Sequence, residues 1–192
     1  MSARSVGLAA GLAALLGVAA AQGKECEGVA FDEQIQDGGG TLALNGLGLR
    51  QATFLKVDVY VAALYLPKTS TDANAILGAN APSELVLHFV RDVDRGDLNK
   101  GWDEGFEHNA KDQLPALKER IETFKGLMPD MKTGQRLTFV SMPGQGVQVE
   151  LDGAARGKIA GDDFARALLA IWLGAHPPNE ELKAGLLGGE CS

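Results

Sequence analysis

Residues 53–66 run Thr53-Phe54-Leu55-Lys56-Val57-Asp58-Val59-Tyr60-Val61-Ala62-Ala63-Leu64-Tyr65-Leu66. The segment is rich in Val, Tyr and Leu and carries Val57, Val59 and Val61 on one face, which is the pattern of a β-strand. Pro67 ends it, because proline cannot donate to a ladder. It is the strongest strand signal in the chain, and the fold is read outward from it. Upstream, Val29 to Gln36 alternates weakly as a strand. Asp37-Gly38-Gly39-Gly40 signals a turn, and Thr41 to Leu44 completes a hairpin. Asn45-Gly46-Leu47-Gly48 reads as a flexible break. Downstream, Thr71 to Leu77 reads as a short helix capped by Ser70 or Thr71. Glu84 to Arg91 is apolar on both faces and therefore a central strand.

Asp97 or Asn99 can cap a helix that runs to about Ala110. A second helix spans Gln113 to Lys125, with Leu114, Leu117, Ile121 and Phe124 at helical spacing. Arg136 to Ser141, Val147 to Leu151 and Arg156 to Ile159 are strands, separated by the turns Pro143-Gly144-Gln145-Gly146 and Asp152-Gly153. Asp162 caps a helix that runs to Leu173 and closes at Gly174. Glu180 to Leu187 forms a terminal helix. The 25 glycines fit a chain with many tight turns. The class is α+β with a largely antiparallel sheet.

Composition narrows the function. At 192 residues, 45% hydrophobic and 22% charged, the chain has the usage of one ordinary globular domain. Its net charge of −7 argues against a nucleic-acid partner, which requires clustered cations. Residues 1–21 read as a cleaved signal peptide: Arg4 in a short polar start, an apolar run from Val6, then Ala19-Ala20-Ala21. Cleavage falls after Ala21 or after Gly23. The apolar run, Val6 to Ala21, is shorter than the roughly 20 residues of a membrane span. Gly23-Lys24-Glu25 before Cys26 is no lipobox. The mature domain is then residues 22–192, in the periplasm. In that oxidising compartment Cys26 and Cys191, the only cysteines, can pair and tie the two ends together.

Standard catalytic signatures are missing. The chain holds no His-x-x-x-His pair, no Cys/His cluster, no nucleophile elbow and no phosphate loop. Arg50 is the unusual residue, because it opens into the long apolar strand that holds Tyr60 and Tyr65. A guanidinium against an apolar wall needs an anion or carbonyls, and a ligand carboxylate would serve its bidentate fork. Taken alone, a solvated arginine at a strand end is the plainer reading. His88 reads as packing or sheet surface. His108, in a helix, and His176, before two prolines, each read more simply as structural than as ligands.

The chain resembles bacterial secreted members of the chalcone isomerase-like family. The resemblance is carried by Gly46-Leu47-Gly48-Leu49-Arg50, by Lys56 to Leu66, by Phe89-Val90-Arg91-Asp92, by Pro143-Gly144-Gln145-Gly146, and by the helix Phe164 to Gly174 with Ile171-Trp172-Leu173-Gly174 at its end. These segments follow the family's order over almost the whole mature chain. The resemblance implies an open-faced β-sandwich, a large antiparallel sheet under a layer of helices with a ligand cleft between them. In the plant enzymes that cleft closes chalcones to flavanones, and in fatty-acid-binding relatives it holds an acyl chain. In both, an arginine after the glycine-containing turn anchors the anionic group, and Arg50 matches it. Tyr60 is the nearest match to the enzyme's strand threonine. Trp102 approximates its catalytic-site tyrosine, and Asn109 its helix asparagine. An indole only donates hydrogen bonds, so the enzyme's water-ordering phenol has no equivalent.

Four functional readings follow. The first is a non-catalytic envelope protein that needs no cofactor and binds a small amphipathic acid through Arg50, Tyr60, Trp102 and Asn109. The second is an intramolecular lyase of chalcone isomerase type, with Arg50 stabilising enolate charge. The third is a haem-binding envelope protein with His108 as axial ligand. The fourth is a purely structural envelope interaction module.

Overall fold

The computed structural model describes residues 23–37, 40–52 and 55–191. The signal peptide read in residues 1–21 lies outside them, as do Gly38 and Gly39 of the first turn and Thr53 and Phe54 at the start of the long strand. Two short strands, β1 (Lys24–Cys26) and β2 (Val29–Phe31), form a hairpin of their own. The main sheet has seven strands in chain order, every neighbour antiparallel: β3 (Gln34–Asp37), β4 (Gly40–Ala52), β5 (Val57–Leu66), β6 (Ser83–Phe89), β7 (Arg136–Met142), β8 (Gly146–Leu151) and β9 (Ala154–Ile159). Helix α1 (Ala73–Gly78) follows β5, while α2 (Arg95–Ala110) and α3 (Leu114–Gly126) fall between β6 and β7. Helices α4 (Asp162–Leu173) and α5 (Glu180–Leu186) close the chain. β6 is the central strand, as its two apolar faces predict. The architecture is α+β, a large antiparallel sheet carrying helices. Among the described residues no helix is long and apolar enough to cross a membrane.

Alternation along the strands sends side chains into two cores. The larger lies between the sheet and the helices. Its centre is aromatic: Trp102 meets Phe124, Phe139 and Trp172 edge-on, with ring centroids 5.6, 5.8 and 5.6 Å apart. The helical positions Leu117, Ile121 and Phe124 are buried there as their spacing predicts, whereas Leu114 is only partly covered. The smaller core lies on the opposite face of β4 and β5, where Phe31 and Cys26 of the small hairpin cover Leu42, Leu44, Val61 and Tyr65. A Cys26–Cys191 disulfide, Cα to Cα 5.9 Å, fastens that hairpin to the chain's end. His88 lies near it, accepting from Arg136 Nε at 3.3 Å. Its burial and the Arg136 charge push the imidazole pKa down.

Four local expectations are corrected. The strand read from Val29 to Gln36 divides into β2, which pairs with β1, and β3, which pairs with β4 in the main sheet. Asn45 to Gly48 is no break, because β4 runs unbroken from Gly40 to Ala52. Helix α1 is capped by Asp72, whose carboxylate accepts from Asn74 N and Ala75 N. Ser70 stands two residues ahead of the cap, where its hydroxyl accepts from Asp72 N at 3.2 Å and its backbone is bonded to the Asn45 amide. Helix α2 begins earlier than predicted, on Asp94, which accepts from Asp97 N at 2.9 Å.

Candidate functional site

The site begins with the way β4 presents Arg50. Between Leu44 and Gly46 the pairing of β4 with β5 slips by one residue, so Asn45 is the bulged position. The bulge re-phases the alternation. Leu42 and Leu44 face the smaller core before it, and Leu47 and Leu49 face the same side after it. Gly46, Gly48 and Arg50 therefore face the helices. Asn45 is buried, and its amide is fully used: it accepts from Ser70 N (2.7 Å) and donates to Ser70 O (3.0 Å) and Leu186 O (2.7 Å).

Helix α5 lies directly on the two glycines. A Cβ at Gly46 would stand 2.1 Å from Gly185 O, and one at Gly48 2.4 Å from Leu182 O. The glycines serve close approach of helix to strand, not flexibility. Arg50 is the first side chain on that face beyond the start of α5. Asn179, just before α5, donates to Leu49 O and accepts from Gln51 N, which fastens the helix entry to the backbone on either side of Arg50.

Arg50 stands directly opposite Tyr60 across the β4–β5 ladder, so the two side chains share a face. Through Nη1 the guanidinium donates to Gln51 O and, at 3.0 Å, to Pro178 O. No ion pair among the described residues involves it. Tyr60 is buried against Phe89, and its hydroxyl oxygen accepts from Trp172 Nε1 at 3.0 Å. Burial raises the phenol pKa, and the Arg50 charge and the Trp172 hydrogen bond only partly oppose that rise.

Arg50, Tyr60, Phe89 and Pro178 line a cleft of about 770 Å³ between the β4–β6 end of the sheet, α2 and the segment 176–178. That is within the usual size of small-molecule sites. Trp102 contributes to the wall from α2, and Gly105 lets α4 approach, since a Cβ there would meet Ile171 at 2.7 Å. Among the described residues two buried side-chain polar atoms lack a partner, Asn99 Oδ1 and Trp102 Nε1; only Trp102 belongs to the cleft wall. The rim is charged and solvated, with Arg91, Asp92, Lys100 and Glu104. A second cavity, about 230 Å³, lies between α1, α4 and the β7–β8 turn and contains none of the predicted site residues.

The structure therefore brings together Arg50, Tyr60 and Trp102. Asn109 is placed differently. Its Oδ1 accepts from His176 N (3.0 Å), and its Nδ2 donates to His176 O (2.9 Å) and Gly105 O (3.1 Å). The amide is spent on backbone and is not on the cleft wall, so Asn109 clips the 174–178 segment over the cleft instead of meeting a ligand. Lys183 Nζ holds the same segment through Gly174 O at 2.7 Å. His108 sits exposed at the rim beside His176, ring centroids 6.2 Å apart. Among the described residues no group of three or more His, Cys, Asp or Glu could hold a metal ion.

Three further residues shape the site: Trp172, Pro178 and Asn179. Trp172 gives only a helical core signal in sequence, and nothing in Pro177-Pro178-Asn179 marks a return to Arg50.

The sequence profile described as chalcone isomerase-like matches residues 23–188. The chain belongs to the chalcone isomerase-like family. None of the curated proteins matches it in sequence. Among solved structures it is similar to a fatty-acid binding protein of Arabidopsis thaliana, with a TM-score of 0.64 and 18% identity over 83% of this chain and 92% of that one. At that identity the likeness establishes a shared fold. Within the chalcone isomerase-like fold, the cleft of this chain has an arginine and a tyrosine on paired strands and an indole opposite, with its apolar depth formed by the aromatic core.

Proposed function

We propose that this chain is a non-catalytic binding protein of the cell envelope that holds a small amphipathic acid, of fatty-acid type, between sheet and helices. One observation carries the reading: Arg50 faces the cleft, beside the apolar wall of Val59, Tyr60, Phe89 and Trp102, while held by main-chain carbonyls and no carboxylate. Its charge is thereby left for an anion, and its fork suits a carboxylate. Tyr60 and Trp102 offer two more donors to the same head group. The apolar body of the ligand would lie along the cleft, contributing about 25 cal/mol for each Å² it buries. The fold shared with a fatty-acid binding protein agrees with this reading. No cofactor is needed for it. Catalysis of the chalcone isomerase type is disfavoured because Trp102, which the resemblance makes the approximate match to the enzyme's phenol, only donates hydrogen bonds. Placement in a bacterial periplasm rests on the signal-like residues 1–21 and on the cysteine pair.

The test is ligand extraction from native protein by mass spectrometry, followed by fatty-acid titration of Arg50→Ala. A charge-assisted hydrogen bond is worth about 1.5–3 kcal/mol, so affinity should fall about 10- to 150-fold. An empty cleft, or an unchanged Kd in Arg50→Ala, ends the proposal.

A further inference from the structure

We infer that Trp172 sets the head-group specificity of this cleft: by donating to the Tyr60 hydroxyl oxygen it fixes the Tyr60 proton as a donor toward the ligand, so the site takes groups that only accept hydrogen bonds and rejects groups that must donate one. The inference rests on the proposed ligand-binding role and adds the polarity that the head group must have.

A phenol hydroxyl can donate one hydrogen bond and accept others. The Trp172 indole can only donate, and its Nε1 lies 3.0 Å from the Tyr60 oxygen. The Tyr60 proton therefore cannot point at Trp172 and must take the other side of the oxygen. Trp172 is fully buried and packed against Trp102 and Phe139, so this arrangement is held by the core. Among the described residues no protein acceptor receives the Tyr60 proton, and Tyr60 is part of the cleft wall.

The remaining polar groups of the inner wall have the same sign. Arg50 carries no acceptor, and the Trp102 Nε1–H is buried without a partner. Gln51 O and Pro178 O each already accept from Arg50, so neither is an unpaired acceptor that calls for a ligand proton. The carboxylates that could accept are at the rim and solvated. There Asp92 is held by Lys132 and Thr133, and Asp94 caps α2. A ligand hydroxyl or amine buried at this wall would leave its own proton unpaired, at the cost of a buried unsatisfied donor. Trp172 does not touch the ligand; it is a positioning residue acting through Tyr60.

The experiment compares three ligands of equal chain length: a saturated fatty acid, its methyl ester and the primary alcohol. Ester and alcohol are both uncharged, so their ratio reads donor against acceptor independently of Arg50. In the wild-type protein the ester should bind about tenfold more tightly than the alcohol. In Trp172→Phe the Tyr60 hydroxyl is free to turn and accept. The ester then weakens, the alcohol holds or improves, and the ratio collapses to within about twofold. Tyr60→Phe should narrow the ratio without closing it, because Arg50 and Trp102 remain donors, and it serves if Trp172→Phe does not fold. The inference is overturned by a wild-type ratio near one, by a ratio unchanged in either variant, or by equal weakening of both ligands in Trp172→Phe. A collapsing ratio together with an acid affinity insensitive to Arg50→Ala would support Trp172 while removing the acid reading. Failure of all three ligands to bind removes both.

Discussion

Gly48→Ala asks whether two glycines seat the last helix and so place Arg50. The added methyl group would lie 2.4 Å from Leu182 O, 2.8 Å from Leu182 Cδ1 and 3.0 Å from Leu182 Cα. Two of those three atoms belong to backbone or its carbonyl, which no rotamer change can remove. The helix must lift from the strand, and Leu182 and Leu186, both fully buried, lift with it. Forcing one extra carbon into a packed interface costs about 1–3 kcal/mol. With a urea dependence of about 1–3 kcal/mol per molar, the unfolding midpoint should fall by on the order of 1 M. Gly101→Ala is the control. It is a glycine-to-alanine change in helix α2, where the Cβ would have no heavy atom within 4 Å beyond its own helix backbone and chain neighbours. Alanine there should stabilise by about 0.5–1 kcal/mol, because glycine loses more freedom on folding. The same Gly48→Ala protein should also bind fatty acid less tightly, since Pro178, which accepts from Arg50, leads into the displaced helix. Equilibrium urea unfolding followed by far-UV circular dichroism decides the matter. A midpoint equal to or above that of wild type would mean that α5 does not rest on the β4 backbone, and the account of how Arg50 is placed would fail.

Two other outcomes are expected. The Cys26–Cys191 bridge spans a sequence separation of 165, for which loop-closure entropy gives a stabilisation on the order of 5 kcal/mol. Cys26→Ser with Cys191→Ser, or reduction, should lower the melting temperature clearly, and an unchanged value in calorimetry would show that hairpin packing alone holds the ends. The Arg120 hydrogen bonds and charge hold the Asp163 carboxyl at about 2, below its usual 3.8. A folded pKa below the unfolded one gives stability that is present above about pH 4 and lost as the pH falls toward 2. Because the pair is partly solvated, Asp163→Asn should cost no more than about 1 kcal/mol at neutral pH. The difference from wild type should vanish near pH 2, and a difference that persists there would assign the effect to packing.

Most of the fold was legible because its signals are local. Alternating valines in β5, the two-faced apolar run of β6, helical spacing in α3 and the Asp-Gly turn before β9 each act within a few residues. The start of α2 on Asp94 and the division between β2 and β3 were missed although their partners are local, but the other errors involve a partner distant in sequence. Gly46 and Gly48 have the composition of a hinge, but they pair with Leu64 and Ala62 of β5, and glycine is required there by the close approach of α5, some 140 residues later. Ser70 has the chemistry of a helix cap, but the Asn45 amide holds its backbone ahead of the helix and its hydroxyl accepts from Asp72 N, which leaves Asp72 as the cap. Asn109 has the right helix for a ligand contact, yet its amide meets His176. For the site, Arg50 could be singled out because a cation at the mouth of an apolar strand is an energetic anomaly. Trp172 could not, because a tryptophan in a helix ending Ala170-Ile171-Trp172-Leu173 is what any core needs.

The charge on Arg50 is available to a ligand only if nothing internal neutralises it, and two internal anions were possible. A carboxylate is one. The fold supplies carbonyls instead, both bonded to a single guanidinium nitrogen, and carbonyls orient a cation without cancelling it. The second is Tyr60, directly across the ladder, where a cation beside a phenol favours ionisation. A phenolate there would occupy the anion's electrostatic place and withdraw the proton the ligand needs. Burial prevents this: it raises the Tyr60 pKa by more than Arg50 and Trp172 together lower it. The aromatic packing that makes the inner wall apolar thus also keeps the phenol neutral. Enlarging the space behind Tyr60, as Phe89→Ala would, admits water and weakens that protection, so the same change that loosens the apolar wall would erode the head-group site.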